Sequence, residues 1–182
     1  YSAAIYELEN IRRETSDLSV QSVTGVLLMH SYLEQGDYKR AQAFLNEAYQ
    51  ARKSNKPQSV ETYSAVAGQI VSGARTRAER YRTLGLNITD RTLPLEAAND
   101  LDRMRETLEL VVTQAKEFSR DTDKRKAAAA LPLVEEAAVS RAAIARDDYD
   151  ARRWRDDAAD SREQMASSRS VIINAVDGTS TP

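Results

Sequence analysis

Along this chain, apolar side chains recur mostly at steps of three and four, the spacing of one helix face, and polar turn residues interrupt them. Residues 1–14 place Ala4, Leu8 and Ile11 on one face and Glu7, Asn10, Arg12 and Arg13 on the other. After the polar turn Thr15 to Ser19, with Ser19 as N-cap, the pattern predicts helices over about 20–35 and 38–52, parted by Gly36 and Asp37. Ser59, with Glu61 in the first turn, opens a stretch read as two helices, about 59–72 and 74–85, ended by Gly85. Leu101, Met104, Leu108, Val111, Ala115 and Phe118 form an a/d seam, predicting one long helix over about 94–119 with Pro94 at its start. An Ala-rich helix carrying Leu131, Val134, Ala138 and Ile144 follows a break at Asp121 to Asp123, and Pro132 is expected to kink it or to start a new helix. The last predicted helix, about 148–169, carries Ala151, Trp154, Ala158 and Met165. Beyond it Val171, Ile172, Ile173 and Val176 make a short apolar patch before an end of linker composition.

The pair of helices around Gly36 carries a recognisable framework: Leu28, Met29, Tyr32, Gly36, Tyr38, Ala41, Leu45 and Ala48. It resembles one tetratricopeptide repeat, a unit of about 34 residues built from two antiparallel helices. Met29 departs from the small residue usual there, and Lys53 from the proline, with Pro57 arriving later. The resemblance implies an interaction scaffold whose concave groove holds another protein. A shift of 37 residues lays Tyr38, Ala41, Leu45 and Ala48 on Tyr1, Ala4, Leu8 and Ile11, so the chain opens as the second half of a repeat. The same shift forward lays Gly36, Arg40, Ala41 and Phe44 on Gly73, Arg77, Ala78 and Tyr81, but Tyr38 and Leu45 fall on Arg75 and Arg82, so the second repeat is degenerate. Asp148 and Tyr149 echo Asp37 and Tyr38 at three times that spacing. The expected fold class is therefore all-α. It is read as a tetratricopeptide-like α-solenoid of helical hairpins over 1–93, long antiparallel helices continuing the array over 94–169, and a C-terminal tail over 170–182.

Composition agrees with helices. The 182 residues include only 6 Gly, 4 Pro and 2 Phe, and such a length buries roughly 70% of the surface of its unfolded form. Twenty-six basic against 28 acidic residues leave a net charge of −2, with no overall field for nucleic acid or an anionic membrane. No apolar run reaches the 18 residues or so of a membrane span. The absence of Cys removes disulfides and thiolate chemistry. The chain starts at Tyr1 rather than Met, and where that reflects removal of a signal peptide, an exported protein is expected. Asn87, Ile88 and Thr89 have the form of a glycosylation sequon, usable only after export.

Catalytic signatures are missing: no glycine-rich phosphate loop, no HExxH, no GxSxG, and a single His. Neither an enzyme nor a cofactor or metal site is expected. Asp147, Asp148, Asp150, Asp156, Asp157 and Asp160 lack the Gly and Glu of a calcium loop and alternate with Arg152, Arg153, Arg155 and Arg162, which favours a solvated, ion-paired helix face. Arg75, Arg77, Arg80 and Arg82 form the one dense basic cluster, read as a face balanced by Glu79 and neighbouring helices rather than as a phosphate site.

The resemblance places Val26, His30 and Leu33 on the groove side, and the 37-residue shift adds Tyr63, Ala67 and Ile70. None is the Lys or Asn that such repeats use to clamp a peptide carboxylate, so the expected ligand is an apolar helix or strand. Two readings stand side by side: these residues line a partner groove, or the 94–119 helix covers them. Two functions follow. One is a protein-binding scaffold; the other is a structural subunit that assembles head to tail into a homopolymer or filament, with Val171, Ile172, Ile173 and Val176 docking on the neighbour.

Overall fold

The computed structural model describes residues 1–90 and 92–177, with side chains as far as Ser168 in the last helix. Among these residues the fold is all-α: α1 (Ser2–Glu14), α2 (Leu18–Gln35), α3 (Tyr38–Lys53), α4 (Ser59–Thr83), α5 (Leu95–Phe118), α6 (Lys124–Ala143) and α7 (Asp148–Asp177). Local chemistry sets most of the boundaries. Asp17 caps α2 by accepting the Ser19 and Val20 N–H groups, two residues earlier than the Ser19 cap read from sequence. Gly36 closes α2 in the left-handed region, at φ 71°, and Asp37 caps α3 through the Arg40 N–H. Asp123 caps α6 in the same way, through Arg125 and Lys126.

Each helix packs on its neighbours in the chain, and α2, α3 and α4 also pack on the next helix but one. α2 meets α1, α3 and α4; α4 meets α2, α3, α5 and α6; and α6 meets α4, α5 and α7, the last being the most extensive pairing. The backbone of α1 packs on α2 alone and reaches α3 only through long side chains, with Arg12 over the Phe44 ring and Glu9 3.5 Å from Arg40. A single apolar core runs the length of the molecule, from Ile5 through Leu28, Leu45, Val66 and Leu108 to Trp154 and Ala158.

Five sequence expectations are corrected. The stretch 59–85 is one helix, α4, with Gly73 inside it. Gly73 marks close packing instead of a turn, because a Cβ there would stand 2.8 Å from Leu33 Cδ1. In α1 the buried residue is Ile5, while Ala4 and Ile11 are exposed. Pro132 does not start a new helix: it is exposed within α6, which continues through it. The last helix runs on to Asp177 rather than stopping near 169. Val171, Ile172, Ile173 and Val176 therefore fall on its final turns, and their side chains lie outside the described residues. The echo of Tyr38 at Tyr149 is not structural either, since Tyr38 is buried with its hydroxyl donating to Asp100 and Tyr149 is exposed.

Candidate functional site

The predicted groove does not form from the residues assigned to it. Leu33, Tyr63, Ala67 and Ile70 are buried in the core, so an incoming segment has no access to them. Tyr63 packs between Tyr49 of α3 and Phe118 of α5, ring centroids 6.4 and 5.2 Å away, and burial pushes its phenol well above the ordinary range. The 94–119 helix thus supplies part of the cover, as the second of the two readings required. Val26 is half-buried, and His30 is exposed with its Nδ1 3.3 Å from the Gln69 amide and Tyr1 edge-on to its ring.

The arginine cluster is consumed internally. Arg75 donates to Ser140 Oγ at 3.0 Å, and Arg77 to the Leu33 carbonyl while standing 3.5 Å from Asp100. Arg80 pairs with Glu34, and Arg82 with Glu79 and the Ala143 carbonyl. These side chains tie α4 to α2, α5 and α6. The aspartate run divides. Asp150 binds the buried Arg141 with both oxygens, at 2.9 and 3.1 Å, and accepts the Trp154 N–H; Asp157 pairs with Lys116 at 2.7 Å. Asp148, Asp156 and Asp160 are exposed. Among the described residues no group of carboxylates and His is arranged to hold a metal ion. Asn87 is exposed in the α4–α5 connection, and its side-chain oxygen accepts from the Thr89 N–H and hydroxyl.

Exposed large apolar side chains occur singly at Leu84, Leu95 and Tyr149, and several lie on the two N-terminal helices. Val20, Val23 and Leu27 form a stripe along α2, 40%, 62% and 47% exposed, and Ala4 and Ile11 form a second along α1. The two helices run antiparallel, with Gln35 donating to Ser2 near one end and Gln21 to the Thr15 carbonyl near the other. Both stripes belong to the packed pair α1–α2, with Leu8 half-buried on α1 and Tyr1 edge-on to His30. Sequence reasoning passed over α2's outer face, although the signal was present. Leu18, Val20, Val23, Val26, Leu27, Leu28 and Met29 leave this helix apolar on nearly every side, and such a helix needs cover on both flanks. At the other end of the molecule the exposed stripe of α7 is charged, with Arg152, Asp156, Asp160 and Glu163.

Among the described residues no helix is long and apolar enough to cross a membrane. No family model, no curated protein and no solved structure matches this chain.

Proposed function

We propose that this chain is a non-enzymatic scaffold for protein–protein interaction, a tetratricopeptide-like array that takes an amphipathic helix of another protein into the groove between α1 and α2. Supporting the array is the order of packing. Taken as pairs α2–α3, α4–α5 and α6–α7, the first helix of each pair lies on the first helix of the next, and its second helix lies on that same neighbour. In this arrangement α1 is the second member of a pair whose first helix would occupy the α1–α2 groove. The equivalent grooves, α3 with α4 and α5 with α6, are filled by α2 and α4. The occupant that fits is a helix with apolar residues at i, i+3, i+4 and i+7.

The observation that carries the reading is the exposure of Ile11 on α1 and of Val20, Val23 and Leu27 on the α2 helix packed against it, four large apolar side chains left in water on adjacent helices. Head-to-tail self-assembly is the weaker alternative, because it would set this apolar end against the charged stripe of α7.

The test is selection of displayed helical peptides on the wild-type chain and on the double variant Val23→Glu, Leu27→Glu. Wild type is expected to enrich peptides with the amphipathic pattern and the variant to lose them. Equal enrichment by both removes the groove from the proposal. Sedimentation across concentration separates the alternative, since species that grow with concentration favour the polymer and a constant monomer favours the scaffold.

A further inference from the structure

A cleft of about 400 Å³ lies where the C-terminal ends of α3 and α5 meet the first turns of α6. Its lining includes four cations, Arg52, Lys53, Arg125 and Lys126, against two carboxylates, Glu117 and Asp121. Glu117 is committed: it accepts from Lys53 Nζ at 2.9 Å and from the Tyr49 hydroxyl. Asp121 accepts the Asp123 N–H at 2.9 Å and contacts the Thr122 hydroxyl, and it forms no ion pair with the arginines. Among the described residues Lys126 Nζ meets only the Asn55 side-chain oxygen, at 3.4 Å.

Arg52 is the unusual member. It is 7% exposed, its guanidinium stacked 3.8 Å from the Phe118 ring centroid and 5.2 Å from that of Tyr63. Among the described residues neither Arg52 nor Arg125 makes a side-chain hydrogen bond or ion pair. The Arg52 nitrogens are not among the buried polar atoms that lack a partner, so the fork keeps contact with water at the cleft and is open to a carboxylate or phosphate. Burial lowers the Arg52 pKa, with Tyr63 and Asp121 offsetting it only in part. Stacking on the aromatic floor fixes the plane of the fork and leaves its N–H edge to reach an anion.

We propose that this cleft is a binding site for a phosphate group, held by Arg52 and Arg125 with Lys126 beside them. Three cations without a committed counter-charge match a dianionic phosphate better than a carboxylate of single charge. The site is independent of the α1–α2 groove, and its failure would leave that reading untouched.

The experiment titrates the full chain at constant ionic strength with inorganic phosphate, with a phosphoserine tripeptide and with the unphosphorylated tripeptide, followed by amide chemical shifts. Saturable shifts around Arg52, Asn55 and Lys126 are expected with both phosphate probes. Each should bind about tenfold or more weakly to Arg52→Met, which keeps the stacked stem, and to Arg125→Gln, a change on an exposed side chain that leaves the fold intact. Tighter binding of the phosphopeptide than of inorganic phosphate assigns the group to a polypeptide, and the reverse assigns it to a free ion. Shifts that stay linear in phosphate concentration, that both variants retain, or that the unphosphorylated tripeptide reproduces overturn the site.

Discussion

Gly68 and Gly73 stand within one helix, yet a methyl group added at Gly68 meets nothing within 4 Å, whereas at Gly73 it comes 2.8 Å from buried Leu33 Cδ1. Helix propensity alone favours alanine at both by about 0.5–1 kcal/mol. Gly68→Ala is therefore expected to raise stability by about that amount, and Gly73→Ala to fall at least about 1 kcal/mol below it because Leu33 must shift within a filled core. Urea unfolding of the two variants measures the difference.

The charged residues act at the same scale. Burial pushes the Asp150 carboxyl up, but the Arg146 N–H and the Arg141 guanidinium outweigh it and hold it below the usual carboxylate range. Asp102 is held low in the same way by Arg105 and Arg146, against its own burial. A carboxyl lowered in the folded state stabilises fully above its unfolded value, near 4, and loses that contribution as pH falls through the folded value. Asp150→Asn is expected to cost about 2–3 kcal/mol at pH 7, since it removes a charged partner from the buried Arg141 while Glu109, 2.8 Å away, remains. The gap from wild type should close progressively below about pH 4, as the native Asp150 itself takes up a proton. A gap that stayed constant down to pH 2 would mean that the pair contributes through shape and not charge.

At the scale of elements, helices with a clean period or a side-chain cap were legible. The a/d seam of α5 is buried from Leu101 to Ala115 as the spacing required, and Gly36 with Asp37 parts α2 from α3 as read. Gly73 was misread because a glycine looks the same in sequence whether it provides a left-handed turn or room for a neighbour. Among the described glycines only Gly36 and Gly85 have positive φ, 71° and 77°, and Gly73 does not. Leu33, Tyr63, Ala67 and Ile70 are buried for a related reason: the resemblance and the 37-residue shift assign a helix face but not the helices that cover it, and α2 and α4 are flanked on more than one side. The continuity of α4 makes its own prediction. Ser72 is exposed next to Gly73, so Ser72→Pro would be harmless at a turn between two helices. Inside one helix it should cost about 3 kcal/mol or more, visible as a drop in Tm with loss of helical ellipticity.

For the molecule as a whole, the three pairs begin at Leu18, Ser59 and Lys124, so the regular spacing of 37 read from the first hairpin is not the period of the chain. The sequence resemblance reached one unit, and the later helices lengthened past it. What the packing order retains is near-neighbour contact: α1 touches the backbone of α2 only, while Trp154 lies in the α6–α7 pairing at the far end of the core. In an array of this kind stability is a sum of local terms and interfaces, and loss of an end unit is felt most by its neighbour. Deleting residues 1–16 is therefore expected to lower the unfolding midpoint seen by far-UV ellipticity, which averages all helices, more than the midpoint seen by fluorescence of the sole Trp, which reports the distal pair. A closed bundle with one cooperative core predicts instead that both midpoints fall together. Coincident transitions in the truncated chain would thus argue against a linear array, and with it against reading the α1–α2 groove as the vacant place of a helix.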